Sequence, residues 1–386
     1  VNSAPGTPAA APTSSTAPGG AAVPPAHTAP PRTRVALWDN ARFILIVLVV
    51  AGHAISTIRT DTAFGFATYA FIYLFHMPAM IALSGLFAKP EATPKAARST
   101  VQLLVTWVLW EGIWALLHLA VNGRGLPESW LVAPAWTLWF LVTLATMRIV
   151  LPYIARLKHP LIFSIAVALV AGLSPAIGTQ FSASRTLCFL PFFVAAWLGV
   201  DRGWFRGDWF MRPARAARVS ALALLVLIAA TFAALPGLRD SWRIDTWLTW
   251  RDDYAWLFAR APIGDWAPTE WWSIALGGSG VRLALLVVAA AMTLAVLLIV
   301  PRRHSIITVW GARTLYVYLL HGPIVWTLRE TGGAEWIGTF GVPGVFALIA
   351  FGIALTLVLS MAWVSRVCRP VIEPRLEWLF SREVRR

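Results

Sequence analysis

The sequence predicts an all-α integral membrane protein, about ten transmembrane helices in one bundle with cytoplasmic N- and C-termini. Three observations carry that reading. Hydrophobic residues make up 58% of the 386-residue chain and charged residues only 13%, more apolar surface than a water-soluble core encloses. Apolar runs near the roughly 20 residues that cross a bilayer recur with short polar gaps. Lys and Arg gather in alternate gaps, as the positive-inside rule requires of a chain that crosses repeatedly.

The formal net charge of +14 is therefore a matter of topology. The basic residues form no aromatic-flanked stripe, so nucleic acid is not an expected partner. Cys188 and Cys368 have neither disulfide-framework nor metal-ligand spacing, and no metal site is expected.

In chain order, residues 1–34 are rich in Ala, Pro, Ser, Thr and Gly and lack aromatics, which reads as a disordered cytoplasmic tail. A transmembrane domain follows over 35–365. Its helices are expected at about 37–57, 67–88, 101–121, 134–154, 161–178, 187–200, 217–235, 281–300, 306–328 and 342–364. The run at 187–200 is short and carries Pro191, which leaves open whether it spans or re-enters. The one long connection, about 236–280, falls on the outer side and packs Trp242, Trp247, Trp250, Trp256, Trp266, Trp271 and Trp272 among Asp and Arg residues. Such tryptophans suit a membrane-interface belt or a cover that stacks on sugar rings. Residues 366–386 form a basic cytoplasmic C-terminal segment. With ten crossings, Lys89, Lys95, Arg98, Arg202, Arg206, Arg302 and Arg303 share the cytoplasmic side, while the outer side nearly balances its arginines with Asp240, Asp245, Asp252 and Asp253.

Ionisable groups within hydrocarbon cost about 2.5–3.5 kcal/mol each on insertion scales, so they mark functional or paired positions. They are concentrated here: Arg42 and His53 in the first helix, His76 in the second, Glu111 and His118 in the third, Arg313 and His321 in the ninth. A polar interior between those four helices follows. Arg42 and His53 are eleven residues apart, which returns to nearly the same helical face about 16 Å further along the axis. Asp39 is placed to pair with Arg42 at i, i+3. Counted from the helix ends, His53, His76 and His321 fall in one layer, where each can serve chemistry or simply hydrogen-bond between helices. An imidazole titrating near neutrality is the usual base for removing a hydroxyl proton, and His53 is the choice for that role. Arg42 is placed to hold an anionic donor at the inner face. Glu111 is expected to orient His118 or, preferably, to neutralise Arg313 as a structural pair.

Four segments then carry a resemblance. They are Trp38-Asp-Asn-Ala-Arg-Phe43 leading to Gly52-His53, then Phe75-His-Met-Pro78 with Leu83-Ser-Gly85, then Leu138-Trp-Phe-Leu141, then Arg313-Thr-Leu-Tyr-Val-Tyr-Leu-Leu-His321. In this order, over about residues 36 to 330, the chain resembles the acyltransferase-3 family of membrane O-acyltransferases. The resemblance implies transfer of an acyl group, usually acetyl, from cytoplasmic acyl-CoA to a hydroxyl of a glycan, glycolipid or related cell-envelope or secondary-metabolite acceptor. It implies His53 as the essential residue and Arg42 as its partner. The family's Arg-x-x-Arg pair corresponds to Lys95-Ala-Ala-Arg98, with Lys in the first place. Lys95, Arg98 and Arg313 are accordingly expected to bind acyl-CoA, and His76, Ser84, Glu111, Trp139 and His321 to support the acceptor or the base. Acyl-CoA enters as a substrate, with no permanently bound cofactor expected; the other partners are the acceptor and membrane lipid. Direct transfer is preferred over an acyl-enzyme, since no Gly-x-Ser-x-Gly elbow is present. A lipid-linked-sugar glycosyltransferase and a membrane transporter are the rival readings. The first outer connection, with only Asp61, does not suit the former, and no inverted repeat supports the latter.

Overall fold

A computed structural model describes residues 35–123 and 129–380. The expected tail, 1–34, and the end of the basic C-terminal segment, 381–386, lie outside the described residues. The described residues fold into ten principal helices: α1 (Ala36–Ala54), α2 (Ala63–Gly85), α3 (Pro94–Asn122), α4 (Trp139–Ile154), α5 (Pro160–Val170), α6 (Ala183–Asp201), α7 (Arg215–Ala234), α8 (Trp271–Ile299), α9 (Thr314–Glu330) and α10 (Val342–Leu359). Short helices fill the connections, and no strand occurs among the described residues.

Seven of these are long and apolar enough to cross a membrane: α1, α2, α3, α6 with its leading turn, α7, α8 and α10. Burial sorts them. Residues of the most apolar stretch are 67% buried in α1 and in α2 and 72% in α6, but only 11% in α7. A helix that is apolar all round and yet uncovered by protein has lipid as its solvent. The bundle therefore has α1, α2 and α6 at its centre and α7 at its rim. α1 packs on α2, α9 and α10, and α2 on α6 and α8.

Local chemistry sets the helix ends. Thr62 opens α2, its hydroxyl accepting the Gly65 N–H at 2.9 Å, and Thr93 followed by Pro94 opens α3 in the same way; both satisfy an orphan donor of the first turn. Gly123 closes α3 at φ 61°, the left-handed conformation that an ordinary side chain resists.

Four segments depart from the sequence expectation. The run carrying Pro191 is a full-length helix from Ala183, its buried face continuing through Ser184 and Thr186; Thr143 bonds Thr186 at 2.9 Å. The short element is instead α5, which stops at Val170 with 11 residues. α8 starts ten residues before the expected 281, running straight through Gly277-Gly-Ser-Gly280. Those glycines are close-approach positions: a Cβ on Gly277 would collide with the Trp266 ring and one on Gly278 with the Tyr254 ring. The expected helix 306–328 is divided into Ile306–Gly311 and α9. Gly311 presses on the backbone of Asp39 so closely that a Cβ has no room, and the chain turns there to pass α1.

Candidate functional site

At the C-terminal end of α1 a cavity of about 250 Å³ opens between α1, α2, α4, α6 and the connection after α7. His53, Tyr73 and His76 line its floor, Trp136, Trp139 and Trp250 supply aromatic walls, and Arg59, Arg185, Arg251 and Arg329 supply its cationic lining.

His53 Nδ1 lies 3.0 Å from His321 Nε2, with the two rings stacked at 5.2 Å and 15°. The partners assign the protons. His321 Nδ1 is 2.9 Å from the Val317 carbonyl, which only accepts, so Nδ1 of His321 carries a hydrogen. In neutral His321 the Nε2 is then an acceptor, and His53 must donate to it from Nδ1–H. The proton-free nitrogen of neutral His53 is therefore Nε2, which makes no hydrogen bond among the described residues. The same logic applies to His76. Its Nδ1–H donates to the Ile72 carbonyl at 2.7 Å, leaving a buried Nε2 without a partner. α2 and α9 use one device, an imidazole tied to the carbonyl four residues back, with proline two residues on at Pro78 and Pro323. Each proline removes one rung of its helical ladder.

The rim is held by charge. Asp245, fully buried, accepts from Arg59 Nε at 2.9 Å and from Arg243 Nε at 3.0 Å; the bond to Asp245 raises the Arg243 pKa above its ordinary value. Arg185 lies 4.8 Å over the Trp139 ring and donates to the Thr249 carbonyl at 3.2 Å. Arg329 lies 4.9 Å over Trp136. Trp250 is held at φ 56°, a left-handed backbone costing a non-glycine residue roughly 1–2 kcal/mol, and is packed against Phe189 at 5.5 Å. Of the seven tryptophans expected in the long connection, Trp250 lines the cavity, whereas Trp266, Trp271 and Trp272 are exposed in the manner of an interfacial belt.

Arg42 sits at the other end of α1. It binds Asp39 at 2.9 Å, the i, i+3 pair the spacing predicts, and its guanidinium lies 4.6 Å over the Phe87 ring. Phe87 lines a second cavity of about 380 Å³ with Trp38, Phe205 and Arg206. The two cavities share no lining residue.

The other predicted site residues are dispersed. Lys95 is exposed at the start of α3, and Arg98 lies 5.8 Å over Phe380. Ser84 donates to the Met80 carbonyl of its own helix at 3.0 Å. Glu111 does not pair with Arg313: its Oε1 accepts from Trp107 Nε1–H and from the Ala135 N–H, both at 2.8 Å, while Arg313, at the turn before α9, donates to the Ser360 carbonyl at 2.8 Å. Glu111 thus ties α3 to the segment carrying Trp136. His118, seven residues on, packs on Trp326 at 4.4 Å. No group of three or more potential metal ligands occurs among the described residues.

Arg59, Arg185, Arg329, Tyr73 and Trp136 are site residues that the sequence does not single out. Three are arginines at or just beyond expected helix ends, where a positive charge reads as topology.

The family model for an acyltransferase domain matches residues 35–363, taking in all ten helices and both cavities. The chain belongs to the acyltransferase-3 family. It is a membrane acyltransferase, an enzyme transferring acyl groups, and the transporter and glycosyltransferase readings fall away. No curated protein and no solved structure matches the acyltransferase.

Proposed function

We propose that the acyltransferase is a multi-pass enzyme of the cell membrane that moves an acetyl group from acetyl-CoA to a hydroxyl of a glycan or glycolipid, with His53 as the base. The hydrogen-bond relay from His53 through His321 to Val317 carries the proposal, because it leaves Nε2 as the basic nitrogen of His53. His321 does for His53 what a carboxylate does in a hydrolase triad: it orients the ring and holds one tautomer.

In the reaction, the acceptor hydroxyl gives its proton to His53 Nε2 as its oxygen attacks the thioester carbonyl. Collapse of the tetrahedral intermediate breaks the carbon–sulfur bond, and the departing thiolate takes the proton from His53. The ester and free CoA are the products, with no oxidant required. His76 Nε2, unpartnered in the same floor, accepts a hydrogen bond from the acceptor and aims it.

The donor docks at the cytoplasmic end of α1, at Arg42 with Lys95, Arg98 and Arg313 nearby in the topology, where its phosphates meet guanidinium and ammonium groups. Trp38 and Phe87 offer aromatic faces in the adjoining cavity. With no lining shared between the two cavities, the donor's arm must part side chains along α1 to present its thioester to His53. The bias of Lys and Arg toward the connections at this end supports placing it in the cytoplasm.

The test is thiol release from acetyl-CoA by the purified enzyme with glycoside acceptors, wild type against His53→Gln. Loss of release with the fold intact supports the base; release at the wild-type rate overturns it.

A further inference from the structure

The four arginines lining the His53 cavity are not equivalent. Arg59 is paired with buried Asp245, which it shares with Arg243, and Arg251 with Asp252 at 3.1 Å. Arg185 and Arg329 have no carboxylate within ion-pair distance among the described residues. Arg185 finds a backbone carbonyl and the face of Trp139. Arg329 finds only the face of Trp136, and its Nε is buried without a partner. No Asp or Glu lines the cavity. Two cations are thus held in a partly dry wall without a carboxylate in contact, at a desolvation cost that an incoming anion would offset.

Their geometry suits that anion. A guanidinium held over an indole face at 4.8–4.9 Å still has its terminal Nη N–H groups, the pair that can grip carboxylate or phosphate in a bidentate manner. Trp136 also lies 4.9 Å from the His53 ring, so one indole links a cation to the base. The cavity, about 250 Å³, is at the lower edge of small-molecule sites, roughly 300–1,000 Å³; only the terminal unit of an acceptor enters.

We propose that Arg185 and Arg329 form a subsite for an acidic group, carboxylate or phosphate, on the acceptor unit that presents its hydroxyl to His53. The acceptor class is then an acidic or phosphorylated glycan. This rests on the acyl-transfer reading, but its test does not need turnover.

The full chain in phosphatidylcholine nanodiscs is titrated with phenyl β-glucuronide and with phenyl β-glucoside, which differ in one carboxylate, and binding is read from tryptophan fluorescence. Wild type is expected to bind the glucuronide at least ten-fold more tightly. In Arg329→Gln and Arg185→Gln that preference falls to two-fold or less while glucoside binding is unchanged, and Arg329→Lys retains part of it. A variant that no longer binds the glucoside is misfolded and is replaced by the other. Equal affinities in wild type, or a preference that both Gln variants keep, overturns the subsite. The donor's phosphates are the competing source of negative charge: an Arg329→Gln enzyme whose KM rises for acetyl-CoA but not for S-acetylpantetheine assigns the anion to the donor and overturns the proposal. Wild-type enzyme that binds the glucuronide tightly yet releases no thiol counts against the acyl-transfer chemistry alone.

Discussion

Asp245 and Arg59 are 186 residues apart in sequence and 2.9 Å apart in space. This bond pins the connection after α7 to the turn that follows α1, six residues beyond His53. Asp245 has no solvent exposure, and Arg243 grips its carboxylate through Nε and Nη2. Asp245→Asn leaves two guanidiniums facing a neutral amide, and hydrogen bonds to charged groups contribute about 1.5–3 kcal/mol each. A loss of about 2 kcal/mol in stability is expected, seen as a lowered Tm of the purified protein. Arg243→Gln should cost less, because that side chain is 41% exposed. Equal losses for the two variants would contradict this ranking.

The His53–His321 bond predicts a split between two substitutions at the same position. His321→Phe fills the space but removes the acceptor for Nδ1–H, freeing the His53 ring to rotate and change tautomer. His321→Gln can still accept that hydrogen at its amide oxygen. Loss of a base costs about 10²–10⁴-fold in rate, and residues acting as a unit are non-additive. His321→Phe is therefore expected to approach His53→Gln in kcat, His321→Gln to fall between it and wild type, and the double variant His53→Gln, His321→Phe to be no slower than His53→Gln. Thiol-release kinetics decide it; independent, multiplying losses would separate the two imidazoles.

Arg42 is fixed by Asp39 on one side and the Phe87 ring on the other, an arrangement that needs a planar cation. Arg42→Gln should raise KM for acetyl-CoA about ten-fold and leave kcat with S-acetylpantetheine, which lacks the nucleotide phosphates, within two-fold of wild type. Arg42→Lys is expected to recover little, since an ammonium reproduces neither the stack nor the fork. A fall in kcat with both donors would place Arg42 in the chemistry.

Much of this architecture was legible in the residues themselves, for reasons that can be named. Apolar run length is dictated by the bilayer, so an all-α membrane protein is legible, with seven helices long and apolar enough to cross; buried ionisable groups are rare enough that His53, His76 and His321 stand out, and His53 and His76 line one cavity with His321 bonded to His53. What periodicity does not encode is packing between segments distant in sequence. Gly277-Gly278 reads as a break because glycine usually is one, and only the Trp266 and Tyr254 rings explain why helix continues through it. Glu111 offers an acceptor and Arg313 a donor, but the indole of Trp107 and the amide of Ala135 reach the carboxylate first. Arg185 and Arg329 are ordinary topology charges until the structure sets them over the Trp139 and Trp136 rings in the cavity that His53 lines.

The glycines of α8 supply a prediction whose sign reverses over two residues. Gly278 and Gly280 both lie inside one helix, where alanine is favoured over glycine by about 1 kcal/mol. At Gly280 nothing lies within 4 Å of an added Cβ, so Gly280→Ala should raise Tm by up to the equivalent of that preference. At Gly278 the Cβ meets the Tyr254 ring, which cannot retreat: its hydroxyl donates to the Leu169 carbonyl at 2.7 Å, its backbone N–H to the Gly172 carbonyl at 2.7 Å, and Arg282 covers its face at 4.6 Å. Overpacking such a site costs about 1–3 kcal/mol, more than the helical gain, so Gly278→Ala should lower Tm. Because Tyr254 shares the connection that carries Trp250 to the cavity, the same substitution should also weaken acceptor binding, whereas Gly280→Ala leaves it unchanged. A Gly278→Ala enzyme as stable as Gly280→Ala would mean that the helix does not pass Tyr254 in this register.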